Sequence, residues 1–355
     1  MSDQINERKY DHIRIITSDE NVDRKKSYFD FIHLKHRALP EIDLAQVDPS
    51  VTFMGKKLAF PLLISSMTGG HHDMVRRINK NLAIAAEETG VAMGVGSQRV
   101  MFDNPDARKS FEIRQYAPSI LLFANLGAVQ LNYGFDISHC REAVAVAGAD
   151  GLYLHLNPLQ EAVQPEGDTN FSNLATKIGE ITKNLDVPVI LKEVGAGLGL
   201  DDVILANEHG VKYFDVAGSG GTSWSRIEHY RRNDEKENIG LLFQDWGNPT
   251  PLALRALRPM HDKITVISSG GLRSGIDMAK SVILGAKLCG MAKPFLKPAT
   301  ESADAVIHTI EKFKKEFTVA MFLLGVRNFD QLFLNESLIS QRSEWQLEIV
   351  NLYDE

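Results

Sequence analysis

The chain has 355 residues, 44% of them hydrophobic and 24% charged, ordinary globular proportions that supply one large α/β barrel or two smaller domains. With 39 basic against 46 acidic side chains and a net charge of −7, it lacks the basic surplus that nucleic-acid backbone binding requires, and no apolar run is long enough to span a bilayer. Cys140 and Cys289 stand too far apart for a thiolate metal site and are too few for a disulfide framework.

The chain opens on "MSDQINERKYDHIRI", polar from its second residue and without the apolar core of a signal peptide, so a soluble cytoplasmic protein is expected. Arg8, Lys9 and His12 make this a charged arm. It is either a solvated tail or the local cationic clamp that an acidic protein needs to hold a diphosphate. The stretch "LPEIDLAQVDPSVTFMGKKL" predicts a hairpin closing the bottom of a barrel. Residues 1–59 thus read as arm and closing segment, and 60–355 as the barrel with its C-terminal helices, one domain overall.

Eight short apolar runs follow: "FPLLISS" (60–66), "GVAMGVGS" (90–97), "SILLFANLG" (119–127), "DGLYLHLN" (150–157), "VPVILKEVG" (187–195), "VKYFDVAGSG" (211–220), "KITVISSGG" (263–271) and "AKLCGMAKP" (286–294). Each has the near-continuous hydrophobicity of a parallel strand buried on both faces. Helix-period segments lie between them, among them "DMVRRINKNLAIAAEETG", "SNLATKIGEITKNL" and "SGIDMAKSVILGA". Eight strands alternating with helices predict an α/β (β/α)8 TIM barrel. A doubly wound open sheet is the alternative, but "SSMTGG" after the first strand is not its glycine fingerprint. Residues 222–248 form a long polar insertion after the sixth strand, of the length that goes with functional lids or disorder.

A barrel of this kind builds its active site at the C-terminal ends of the strands. Every end here carries small, hydroxyl, amide or basic groups, which together suggest one ligand-filled mouth. "GSQR" offers Arg99 as a second cation for a diphosphate. His155 and Asn157 alternate with leucines and share one strand face; alone, His155 reads more as a core histidine than as a ligand, and Asn157 on the same face tips the balance towards the site. Glu161, just past the fourth strand, suits a hard cation such as Mg²⁺, which takes one or two carboxylates plus phosphate and water, and Gln160 stands beside it. Lys192, ending the fifth strand, has three readings: a charge beside a flavin's N1/O2 edge, an ion pair with Glu193 or Glu161, or a Schiff-base lysine. Asn125 and Ser97 could hydrogen-bond the same ring edge.

The strongest phosphate signal is "ISSGGLRSGIDMAK" (267–280), with "GMAKP" after the eighth strand. Two glycines let backbone amides approach an anion, and a helix starting near Ser274 directs its positive end at the site. The plain alternative is a tight turn at Gly270 and Gly271. Barrels that bind FMN use this same pair of loops.

Read with "SSMTGG", "ANLG", "HLNPLQEAVQPEGD", "KEVG", "AGSGGTSWSRIE", "DWGNPT" and "SSGGLRSG", and the Arg8–Lys9 pair, the chain resembles the type 2 isopentenyl-diphosphate isomerases, FMN- and Mg²⁺-dependent (β/α)8 enzymes, over nearly its whole length. The resemblance implies FMN contacts from Ser66, Met67, Thr68, Ser97, Asn125, Lys192, Thr222, Gly271, Leu272, Arg273, Ala292 and Lys293. It implies substrate contacts from Arg8, Lys9, Ser97, Gln98, Arg99, His155, Asn157 and Gln160, and Mg²⁺ on Glu161. Trp224 and Glu228 would lie near the flavin face, with Gln160, Lys192 and Glu228 taking part in catalysis. By its charged context alone Glu228 reads equally as a solvated helix residue. The implied reaction interconverts isopentenyl and dimethylallyl diphosphate with reduced FMN, NADPH as flavin reductant and no net oxidation. A homo-tetramer or homo-octamer is implied too, while it is the net charge and the lack of a long apolar run that predict no nucleic-acid or membrane partner.

Three rivals share parts of the pattern. A purine-nucleotide dehydrogenase or reductase needs a cysteine in the loop after the sixth strand, where this chain has "AGSGGTSW". A flavin hydroxy-acid oxidase needs a histidine base there, and His229 is poorly placed. A non-catalytic flavin-binding barrel has no use for Glu161 or the Arg8–Lys9 pair.

Overall fold

The computed structural model describes residues 12, 14–16, 18–232 and 238–340; Arg8 and Lys9 lie outside the described residues. Two short strands come first, β1 (Val51–Phe53) and β2 (Lys56–Leu58), paired antiparallel. They are joined across Met54 and Gly55, whose φ values of 46° and 77° give the left-handed turn that suits a two-residue hairpin. Phe53 meets Tyr213, the first residue of a barrel strand, edge-on at 5.9 Å. The predicted hairpin therefore sits at the N-terminal end of the barrel.

The barrel strands are β3 (Leu62–Ile64), β4 (Ala92–Gly94), β5 (Leu122–Gly127), β6 (Gly151–Leu156), β7 (Val189–Glu193), β8 (Tyr213–Asp215), β9 (Thr265–Ser269) and β10 (Ala286–Met291). They are parallel, follow chain order and close where β10 pairs with β3. Each lies within one of the eight apolar runs. Helices cover the outside and side chains such as Phe123 and Tyr153 fill the inside, so the strand residues are buried on both faces. Each fully buried Leu, Ile or Phe contributes about 1.5–3 kcal/mol.

The α-helices of six residues or more among the described residues are α1 (Asp73–Thr89), α2 (Ile137–Ala147), α3 (Pro158–Val163), α4 (Leu174–Asn184), α5 (Leu200–Glu208), α6 (Trp224–Arg232), α7 (Thr250–Ala256), α8 (Gly275–Ile283), α9 (Lys293–Glu301) and α10 (Ala303–Leu324). α1 and α10 stop at Gly90 and Gly325, both left-handed, as helix C-termini favour. Helix α8 starts where the sequence predicts, with Ser274 Oγ accepting from the Asp277 amide at 3.1 Å. It crosses α10 so closely that a Cβ on Gly275 would lie 2.3 Å from the Phe317 amide nitrogen. Among the described residues no helix is long and apolar enough to cross a membrane.

The strands are shorter than the runs that predict them. The run at 211–220 yields only three strand residues, because Ala217, with φ 39°, turns the chain into the loop above the barrel. The insertion after β8 also differs from a structureless loop: it holds α6 and a one-turn helix, Ile239–Leu242. α6 buries Ile227 and Glu228.

Candidate active site

The C-terminal strand ends surround one cavity. Parallel register sets Gly127 beside His155, His155 beside Lys192, and Lys192 beside Asp215. His155 and Lys192 line the cavity with Ser66, Met67, Thr68, Ser97 and Asn125. Asn125 Oδ1 accepts from His155 Nδ1 at 2.8 Å, while Asn125 Nδ2 donates to the Val95 carbonyl at 3.1 Å. His155 is thus a wall residue held by an amide, not an isolated core histidine.

On the far wall, β9 leads into Gly270 and Gly271, with φ 97° and 86°. A Cβ on Gly270 would stand 2.1 Å from the Gly218 carbonyl oxygen, and one on Gly271 2.7 Å from that of Gly220. The loops after β8 and β9 therefore meet backbone to backbone, as only glycine allows. Thr250 Oγ1 donates to the Gly270 carbonyl at 2.6 Å and secures the turn from outside. Arg273, Lys293, Ala292 and Thr222 line the same end of the cavity. Both cations meet Asp23: Arg273 holds its carboxylate through Nε at 3.1 Å and through Nη2, and Lys293 Nζ lies 3.4 Å away.

The turn after β6 carries the carboxylate. Glu161 lies in the first turn of α3 and is 6% exposed. Asn157 Nδ2 donates to its Oε1 at 2.7 Å; the Asp168 amide, at 2.7 Å, and the Gln164 side chain donate to Oε2. Asp168 in turn holds Arg99 at 2.6 Å and accepts from Gln130 Nε2 at 2.9 Å, so one residue fixes both the carboxylate and the cation. Among the described residues no group of three or more His, Cys, Asp or Glu gathers to hold a metal, and the acid that lines the cavity among them is the one carboxylate of Glu161. That is the donor set on which Mg²⁺ relies when phosphate and water complete its shell.

Helix α6 closes over this turn. Gln160 Nε2 donates to Glu228 Oε1 at 2.7 Å, His12 Nε2 lies 3.2 Å from the same oxygen, and Arg231 pairs with Oε2. Glu228 is fully buried behind Gln160, not a solvated helix residue. Trp224 and His12 line the cavity, their rings edge-on at 5.1 Å.

Two expected contacts sit elsewhere. Gln98 is fully buried, with Nε2 donating to the Ala143 carbonyl at 2.9 Å and Oε1 accepting from the Asn125 amide at 2.9 Å. It braces the wall from behind, because its side chain points to the opposite side from Ser97. Leu272 is buried likewise, and its carbonyl accepts from Arg273 Nη1 at 2.7 Å. Lys192 pairs with neither Glu193 nor Glu161. Its Nζ donates to the Glu193 carbonyl at 2.9 Å and lies 3.5 Å from Asp215. The Glu193 carboxylate is instead wrapped by the amides of Val194, Gly195, Ala196 and Gly197, at 2.6, 2.7, 2.5 and 2.8 Å. Burial still pushes its pKa up against the pull of those amides. Asp23, Asp168 and Asp215 are site residues that sequence reasoning missed. Asp215 left a signal as an acid in the middle of an apolar run, and Asp168 as the last residue of the motif "HLNPLQEAVQPEGD".

The wall is built to receive a polar ligand. Ser65 Oγ, Ser66 Oγ, Thr68 Oγ1 and Asn157 Oδ1 are buried without a hydrogen-bond partner among the described residues, and all four residues line the cavity. Buried polar groups are normally paired, so these four await an occupant rich in polar atoms. A flavin phosphate fits the glycine loops and the Arg273–Lys293 end, and a flavin ring edge fits the hydroxyls and Lys192. His155 and His12 are the histidines that reach the cavity; His229 does not line it.

Comparison with known proteins agrees. The chain matches the FMN-dependent dehydrogenase family over residues 1–101 and 155–341. It is 54% identical over 341 residues to an isopentenyl-diphosphate delta-isomerase of Hydrogenovibrio crunogenus, covering 96% of this chain and 99% of that protein. It is 55% identical over 338 residues to the protein of the same name from Paracoccus zeaxanthinifaciens, covering 94% and 97%. Among solved structures, a flavocytochrome b2 variant superposes with a TM-score of 0.68 at 20% identity, covering 94% of this chain and 83% of that one. A mandelate oxidase variant with an FMN adduct gives 0.60 at 16% identity, covering 87% and 88%. These two likenesses concern the fold.

Proposed function

The chain belongs to the isopentenyl-diphosphate delta-isomerases, isomerases on the barrel of the FMN-dependent dehydrogenase family, and from that premise we propose that it interconverts isopentenyl and dimethylallyl diphosphate using reduced FMN and Mg²⁺, with no net oxidation. One observation carries the reading. A single cavity is lined by the carboxylate of Glu161, by Gln160, which donates to the buried Glu228 behind it, and by the ammonium of Lys192.

Moving an unactivated double bond requires a proton to arrive at one carbon and leave another, through a state with tertiary-carbocation character. Reduced FMN, when bound, supplies an electron-rich ring and an acid/base edge. Mg²⁺ on Glu161 would neutralise the diphosphate. The side chains do the rest. Arg99, held by Asp168, binds the diphosphate from the rim, with Arg8 and Lys9 as further clamp candidates. Anchoring that charged end fixes the small alkene in place, so its binding energy serves orientation. Gln160 and Glu228 hold a proton path at the wall: the carboxylate accepts at Oε1, where His12 also meets it from the cavity, and Arg231 sets its polarity through Oε2. The Lys192 ammonium favours negative charge on a reduced ring. NADPH is the proposed flavin reductant.

The test is a single assay. The purified protein is examined for the spectrum of bound oxidised flavin, then given isopentenyl diphosphate, Mg²⁺ and FMN with and without a flavin reductant. Dimethylallyl diphosphate formed only under reducing conditions is the expected result. Bound FMN without product under either condition sinks the isomerase reading and leaves a flavin oxidoreductase in its place.

A further inference from the structure

Beneath the cavity lies an acid that the reaction does not use directly. Asp215 is fully buried and does not line the cavity. Its carboxylate meets Ser269 Oγ at 2.5 Å and the Ala217 amide at 3.3 Å through Oδ1, and Tyr153 Oη at 3.3 Å and Lys192 Nζ at 3.5 Å through Oδ2. Burial, with Asp215 adding to it, pushes the Tyr153 phenol far above its ordinary range, so Tyr153 stays a donor.

An ionised carboxylate inside a barrel is costly unless it is paired and hydrogen-bonded. The surrounding interior is filled by Phe123 and Tyr153, and an apolar residue at this position would avoid that cost. The cation that Asp215 meets is Lys192, its register partner on the adjacent strand. An ammonium has three N–H groups. One from Lys192 goes to the Glu193 carbonyl at 2.9 Å and one faces Asp215, which leaves the third for the cavity that Lys192 lines.

We propose that Asp215 is a positioning residue for the reaction: it fixes the Lys192 ammonium at the cavity wall and offsets its charge, so that a bound flavin faces a neutral pair rather than a bare cation. The inference rests on the flavin-binding reading of this cavity. Without the carboxylate, the uncompensated cation favours the anionic reduced ring, and the flavin becomes easier to reduce.

The measurement is the midpoint potential of bound FMN in the full-length holoprotein, for the wild type, Asp215→Asn, Lys192→Met and the double variant. Asp215→Asn is expected to move the potential to more positive values and Lys192→Met to more negative ones, with the double variant close to Lys192→Met, because Asp215 acts through Lys192. An unmoved potential in Asp215→Asn overturns the proposal, as does an identical shift whether or not Lys192 is present. If Asp215→Asn fails to fold, the double variant decides. Breaking a buried pair from one side is strongly destabilising, whereas replacing both members is often tolerated. A folded, flavin-binding double variant beside a collapsed single one supports the proposal; collapse of both assigns Asp215 to packing and overturns it. A wild-type protein that binds no FMN sinks the flavin reading itself, while unmoved potentials in flavin-loaded variants sink only the role of Asp215.

Discussion

Gln160 Nε2 donates to Glu228 Oε1 at 2.7 Å, and this bond joins the turn after β6 to the helix after β8 across the cavity wall. A carboxylate with no exposed surface, ringed by an amide, an imidazole and a guanidinium, is placed to pass charge rather than to solvate a helix. Glu228→Gln keeps the shape and removes the charge. It should lower kcat by about 10²-fold, the lower bound for losing a general acid–base group, with KM little changed and the bound-flavin spectrum intact. Steady-state kinetics with reduced FMN read this, and a loss under threefold removes Glu228 from the proton path.

Glu161 offers the one carboxylate of its turn, held by Asn157, Gln164 and the Asp168 amide. Glu161→Ala should abolish the response of activity to added Mg²⁺ and raise KM for the diphosphate by at least about tenfold, a loss of roughly 1.4 kcal/mol of binding. FMN binding should not change, because the glycine loops stand on the opposite wall. Mg²⁺ titrations of both proteins settle the matter; a variant that still needs Mg²⁺ for full activity moves the metal to other ligands.

Gly270 combines φ 97° with a clash of 2.1 Å between any added Cβ and the Gly218 carbonyl oxygen. Gly270→Ala must push apart the two loops that form the phosphate end. The strained backbone alone costs more than about 1 kcal/mol, and the displaced loops lose the anion site. FMN affinity, followed by quenching of flavin fluorescence, should fall at least about tenfold, whereas riboflavin, without the phosphate, should lose little. Equal losses for both flavins would place the phosphate elsewhere.

The barrel was legible because its strands are buried on both faces, which writes them as eight apolar runs with helix-period segments between. The turn after β6 was legible too, since Asn157, Gln160 and Glu161 lie within one helical turn and interact locally. What stayed hidden depends on partners distant in sequence. Asp23 looks like any acid in a polar arm until Arg273, 250 positions away, meets it. Asp168 sits in a motif, but its hold on Arg99 spans 69 positions. Gln98 misleads for the opposite reason: it neighbours two cavity residues, Ser97 and Arg99, yet its side chain turns away from both.

At the other end of the barrel, Asp150 closes a clamp that supports the site from below. Its carboxylate meets Lys56 on β2 at 2.8 Å, Arg114 at 2.8 Å and the Leu122 amide of β5 at 2.9 Å, tying the hairpin to the start of the barrel strands. Partial burial alone would raise its pKa; Lys56, the Leu122 amide and Arg114 more than reverse this and hold it below the ordinary aspartate range. The folded pKa is therefore below the unfolded one. The ionised form contributes stability above the unfolded value of about 3.9 and loses it as the pH falls through the folded value. Asp150→Asn should cost about 1.5–3 kcal/mol at neutral pH, the usual range for hydrogen bonds to a charged group. In denaturant titrations repeated towards acid, the gap between wild type and variant should close as the pH drops below about 4, because protonated Asp150 then resembles the amide. A gap that stays constant down to that acidity would mean that the side chain acts through its shape and not its charge.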